Sequence, residues 1–87
     1  MKNVILNTVI HLESGRKFKC IEISSNDLYG LVEVEEIPDP KNDKLKTYLP
    51  IGEKFERDKN SLQQLFDSSM VKKTTVDIYE NFFRDSK

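Results

Sequence analysis

Among its 87 residues the chain has one cysteine, one histidine and no tryptophan, with only three glycines and three prolines. A single cysteine excludes a disulfide framework within the chain and any zinc site built from several thiolates. A single histidine leaves most metal and nucleophilic constellations short of parts, because each needs a second ligand, an acid or a base beside it. Gly15, Gly30 and Gly52 lie far apart and match no phosphate-binding spacing. No stretch approaches the roughly 18 apolar residues of a membrane-spanning helix. An excess of one charge is missing as well. The 14 basic residues meet 15 acidic ones, for a formal net charge of −1, so neither a general polyanion-binding role nor acidic mimicry of nucleic acid has bulk charge behind it.

What is present describes one small domain, residues 1–87, since a second would leave neither half enough interior. Hydrophobic residues make up 37% and charged residues 33%, too apolar for a disordered tail and too varied for a fibre. The apolar run at residues 4–10 is interrupted by Asn7 and Thr8 and lacks a small-residue cleavage site. It therefore reads against a signal peptide, and a cytoplasmic location is the expectation. Lys outnumbers Arg by 11 to 3, a skew that fits coding in an AT-rich genome such as that of a low-GC bacterium or its phage.

Alternation of Val4, Leu6, Thr8, Ile10 and Leu12 predicts a first strand over residues 3–12. Gly15 serves the turn that follows. A second strand is predicted over 17–23. Phe18 and Cys20 share one face there, while Ile21 and Ile23 lie on the other, a phase switch that signals a β-bulge or a strand covered on both sides. A polar loop over 24–30 precedes a third strand over 31–37. Pro38 and Pro40 then predict a loop through which no ladder runs. A fourth strand is predicted over 44–51, with Pro50 marking its end or a sheet edge. Residues 52–57 lead into a helix over 61–70, striped by Leu62, Leu65, Phe66 and Met70, with Asp58, Asn60 or Ser61 as its cap. The β-branched run over 71–79 favours a final strand over a second helix beginning at Thr74.

These elements predict an α+β, mostly β fold: a small antiparallel curled sheet, or an SH3-like or OB-like barrel, of four to five strands. The one short helix closes its open side. A meander of strands two to four would set Lys17 and Lys19, Glu33 and Glu35, then Lys44 and Lys46 side by side on the solvent face. Phe18/Cys20, Val32/Val34 and Leu45/Leu49 would then point inward. The expected core is Leu6, Ile10, Phe18, Val32, Val34, Leu45, Leu49, Phe55, Leu62, Leu65, Phe66 and Ile78.

For chemistry, the expectation is of a chain that is not an enzyme, with no catalytic residue, metal or cofactor. His11 is predicted to face solvent, and Cys20 to be a small buried hydrophobe. The acid run Glu33, Glu35, Glu36, Asp39 and Asp43 reads as a solvated charged face, since it lacks the spacing of a calcium loop. Two regions resist burial in so small a core. One is Ile21 and Ile23 with the nearby Tyr29. The other is the C-terminal segment 79–87, where Tyr79, Phe82 and Phe83 put three aromatics within five residues. Exposed apolar groupings of this kind mark protein interfaces. The leading expectation is therefore an interaction module (adaptor, inhibitor or assembly factor) that binds a protein partner through these residues, a second copy in a homodimer being the intermediate case. One alternative is a small barrel binding nucleic acid through Lys17, Lys19, Lys44, Lys46 and Tyr48. Another is an oligomer that holds a small anionic ligand where subunits meet.

Overall fold

A computed structural model describes residues 4–77, with the side chains of residue 39 and residues 42–45 outside the description. The elements are β1 (Thr8–Leu12), β2 (Lys17–Ile23), β3 (Leu28–Asp39), β4 (Asn42–Pro50), β5 (Phe55–Asp58), α1 (Lys59–Asp67) and β6 (Val71–Val76). They form one antiparallel sheet in the order β4-β3-β2-β1-β6, and β5 pairs with β3 beside β4. The fold is α+β and mostly β, with six strands where four to five were expected. β3 is the hub. Its whole first half pairs with β2 on one edge, while β5 and then β4 share the other edge. Among the described residues no ladder joins β5 to β6, and α1, which connects them, fills the opening.

The helix sits there because its stripe is apolar. Leu62 is buried in a cluster with Val4, Ile10, Cys20, Tyr29 and Leu31, and Leu65 and Phe66 pack on that cluster's margin. The Phe18 and Phe55 rings meet edge to face at 5.7 Å nearby. A nine-residue helix is too short to persist in water by propensity, so this burial stabilises it. Asp58 caps it, accepting the Ser61 backbone N–H at 2.8 Å. At the far end Ser68 donates its N–H to Gln64 and its hydroxyl to Leu65 O, which ends the helix three residues short of the predicted boundary and leaves Met70 exposed. The Ser61 backbone N–H holds the Asp58 carboxyl below the usual carboxylate range. A carboxylate with a lower pKa folded than unfolded stabilises the fold above its unfolded value and loses that contribution as pH falls through the folded one. Asp58→Ala is therefore expected to speed hydrogen exchange at the Ser61 amide at neutral pH, with the wild type approaching the variant as the solution is acidified. An unchanged Ser61 exchange rate in the variant would disprove the cap.

The strand boundaries moved for local reasons. β1 starts at Thr8 because Asn7 takes a left-handed conformation (φ 73°), which asparagine tolerates and most residues do not. The preceding turn is held by Thr8, whose N–H donates to Ile5 O and whose hydroxyl accepts the Ile5 N–H. Val4 thereby enters the core, and Leu6, expected there, is exposed. β3 runs through Pro38, which pairs with Lys46, contrary to the expected break. By that point β3 has passed the end of β2, so proline needs a neighbour on one side only. β5 was missed because its four residues contain a single apolar side chain, Phe55.

The largest correction concerns register. The second strand has the predicted ends, and its phase switch is a bulge between Cys20 and Glu22. Phe18, however, stands opposite Glu33, Lys19 opposite Val32 and Lys17 opposite Val34. A one-residue slip sends a whole strand's side chains to the other face. The inward residues of β3 are thus Tyr29 and Leu31, while Val32 and Val34 share a face with Lys17 and Lys19. The expected ladder of alternating charges does not form. Glu33 instead accepts from Arg16 Nε and Nη2, each at 3.0 Å, and Glu36 is paired with Lys46 at 2.8 Å. A second buried cluster, Val9, Val32, Val34 and Tyr48, occupies the sheet face opposite α1. Lys19 lies between Val9 and Val32 on that face and meets the Asp77 carboxylate at 2.8 Å, the two side chains being 2% and 0% exposed.

Candidate interaction surface

Asn7 organises one end of the sheet. Its N–H donates to Cys20 O at 2.8 Å, and its carbonyl accepts the Asp77 N–H at 2.9 Å. The backbone of the segment before β1 is thus tied to β2 on one side and to the end of β6 on the other. Large aliphatic side chains adjoin this junction in the chain: Ile5 and Leu6 before it, Ile21 and Ile23 on β2, and Val76 on β6. All five are exposed, between 38% and 54%. Alternation alone turns Ile21 outward beside the inward Cys20, and the bulge at Cys20/Glu22 then sets Ile23 opposite Tyr29.

Of the sequence candidates for an interface, Ile21 and Ile23 are therefore at the surface. Tyr29 is not: it stands opposite Ile23 in the ladder and is buried against Leu31 and Leu62. β3 begins at Leu28, so Tyr29 is a strand residue with an inward phase and not the loop tip expected. Tyr79, Phe82 and Phe83 lie outside the described residues and follow Asp77 in the chain. Ile5, Leu6 and Val76 were missed. The signal for them was Asn7, whose left-handed backbone breaks the alternation that placed Leu6 inside.

The strand face proposed for nucleic acid does not exist as drawn. Lys19 is sealed against Asp77, and Tyr48 is 6% exposed within the second cluster. The register slip is the physical reason, since it makes this face a buried one. Lys46 is exposed but paired with Glu36, and Lys17 donates to Gly15 O at 3.0 Å. The Lys44 side chain is outside the description.

His11, expected in solvent, is buried at 4% exposure. Its Nε2 is 2.9 Å from Thr75 Oγ1, and its ring meets that of Tyr48 edge-on at 6.0 Å. Burial, then the charge of Lys73, holds its pKa below the ordinary histidine value. Cys20 is buried as expected, and burial pushes its thiol up, away from the reactive thiolate. Among the described carboxylates of the acid run, Glu33 and Glu36 are each held by a cation. The Arg16 hydrogen bond lowers Glu33 and the Lys46 hydrogen bond lowers Glu36, so both stay ionised. No group of three or more His, Cys, Asp or Glu side chains able to hold a metal occurs among the described residues, and no described helix is long and apolar enough to cross a membrane.

Comparison with protein-family models, with curated proteins and with solved structures gave no match. Ile5, Leu6, Ile21, Ile23 and Val76 are exposed aliphatic residues near the Asn7 junction in the chain, and Ile51 and Met70 are exposed elsewhere. Single exposed aliphatic residues are ordinary on any protein, whereas contiguous apolar patches mark interaction sites.

Proposed function

We propose that the chain is a protein-interaction module that docks a partner protein through the aliphatic end of its sheet, with Ile21 and Ile23 at the centre. The observation that supports this reading is the exposure of five large aliphatic side chains around the Asn7 junction. Covering such a patch removes apolar surface from water, and a few anchors of this kind carry most of the energy of a typical interface. The exposed Glu22–Lys54 ion pair beside Ile21 and Ile23 would lie at the polar rim. The aromatic run Tyr79, Phe82 and Phe83 follows Asp77 in the sequence, outside the described residues, and belongs to the same proposal. An adaptor, an inhibitor and an assembly factor would all use such a surface, and none requires a catalytic group.

The test uses the full chain as bait in extracts of its source cells, followed by titration of the purified partner. Ile21→Asp with Ile23→Asp is expected to lower affinity at least tenfold while the thermal transition is retained, since both side chains are exposed. Ile51→Asp, exposed elsewhere, is expected to bind like the wild type. Equal binding by the double variant and the wild type would overturn the proposal. A chain that is a stable dimer in light scattering, and a monomer when the double variant is made, would identify the partner as a second copy.

A further inference from the structure

On the sheet face opposite α1, the register places His11 of β1 directly between Lys17 of β2 and Lys73 of β6. Residues opposite one another in neighbouring strands share a face, and like charges so placed are unfavourable. A cleft of about 210 Å³ opens at this point, with His11, Gly15, Lys17, Glu36, Lys72 and Lys73 in its wall. Three lysines thus meet one glutamate, and that glutamate is already bound by Lys46 at 2.8 Å. Lys72 and Lys73 are exposed and carry no ion pair among the described residues. Lys17 spends one of its three N–H donors on Gly15 O. The chain as a whole has a net charge of −1, so this concentration of cations is local and not an overflow of bulk charge.

We propose that this cleft is a binding site for a phosphate-bearing small molecule, its dianionic phosphate held by the ammonium groups of Lys17, Lys72 and Lys73 beside the His11 ring. A dianion with three acceptor oxygens matches several lysines in the wall of one cleft, where a lone carboxylate would leave most of them uncompensated. The cleft is open to solvent on one side, so a phosphate seated in it can carry its esterified group outward. A nucleic-acid strand fits less well. The cations do not continue as a track along the sheet, because Lys19 and Tyr48 are buried and Lys46 is paired.

The titratable and charged groups facing His11 are Lys17 from β2, Glu36 from β3, Lys46 and Tyr48 from β4, and Lys73 from β6. The lysines disfavour the imidazolium and Glu36 favours it. A bound dianion adds a second favourable charge, so it should move the His11 titration to higher pH.

The experiment is a ¹H–¹⁵N and histidine-ring NMR titration of the full chain with inorganic phosphate, with a nucleoside 5′-monophosphate and with a short single-stranded DNA. Sulfate serves as a dianion that does not itself titrate near neutrality. Saturable shifts at His11, Lys17 and Lys73 are expected with phosphate and, more tightly, with the monophosphate. Sulfate should raise the His11 midpoint measurably. Lys73→Gln is expected to weaken monophosphate binding about tenfold, the loss of roughly one charge-assisted hydrogen bond. Lys59→Gln, on α1 across the sheet from the cleft, should leave it unchanged. Both lysines are exposed, so neither variant threatens the fold. The proposal is overturned by shifts that do not saturate, by equal loss in both variants, or by a His11 midpoint indifferent to sulfate. Tighter binding of the DNA than of the monophosphate, with a steep salt dependence, would overturn it in favour of a polymer.

Discussion

Lys19→Met is expected to lower the unfolding free energy by about 3–5 kcal/mol, the usual consequence of stranding one member of a buried ion pair. The Lys19 ammonium and the Asp77 carboxylate meet at 2.8 Å with side chains 2% and 0% exposed. Removing the lysine takes the cation from a carboxylate shut away from water beside the Val9, Val32, Val34 and Tyr48 cluster. A chain of this length has roughly 4–13 kcal/mol of stability in all, so the single variant stands near the edge of folding. Lys19→Met combined with Asp77→Leu should recover most of the loss, because an apolar pair of similar size fits this face without a desolvation penalty. The same pair also joins β2 to the end of β6, which makes Asp77 the point at which the described chain is fastened to the sheet. Urea titrations of the two single variants and the double variant are the check, with the slope watched for a change in compactness. Additive losses in the double variant would mean that the two charges do not act as a pair.

Leu62→Ala should destabilise by about 2–5 kcal/mol, the range for truncating a fully buried leucine. Leu62 is 1% exposed and is the one buried residue of α1. It also lines an existing cleft of about 260 Å³ between the helix and the sheet, whose walls include Phe18, Phe55 and Leu65. A truncated side chain there enlarges a space that the surrounding rings already fail to fill, so relaxation will recover little of the loss. Leu62→Met, which nearly conserves volume, should cost less than about 1.5 kcal/mol. Because α1 is the only cover for the opening between β5 and β6 among the described residues, Leu62→Ala should also raise hydrogen exchange in Phe55–Asp58 more than in β1 and β2. Uniform acceleration would instead mean that the helix does not open apart from the rest. An unchanged urea midpoint would show that Leu62 is not a core contact.

How much of this was legible in the chain varies by element. β2 was read to the residue, and its bulge was read from the clash of phase between Cys20 and Ile21. The helix was found by the spacing of Leu62, Leu65 and Phe66, and its cap was among three candidates. The run over 71–79 was assigned as a strand on its β-branched residues, against a competing helix, and β6 covers Val71–Val76 of it. Ile21 and Ile23 were expected on the outer face of their strand; both are exposed, but Ile23 stands opposite the inward Tyr29 in the ladder. Composition alone also ruled out disulfides and cysteine-based zinc sites, and it showed that the chain has no general cationic charge.

Other features were settled only by the way the strands assemble. The choice between Val32/Val34 inside and Tyr29/Leu31 inside is a matter of one residue of register. Both sets alternate equally well along the chain, so the decision falls to the bulge and to the packing of α1. That choice turned the expected solvent face into a buried one. It drew Lys19 into an ion pair with Asp77, 58 positions away. It likewise enclosed His11 against Thr75 and gathered Lys17 and Lys73 on either side of it. Periodicity along a strand says which residues share a face. Which face meets water depends on partners distant in sequence, and the pairing of those partners is a property of the folded sheet.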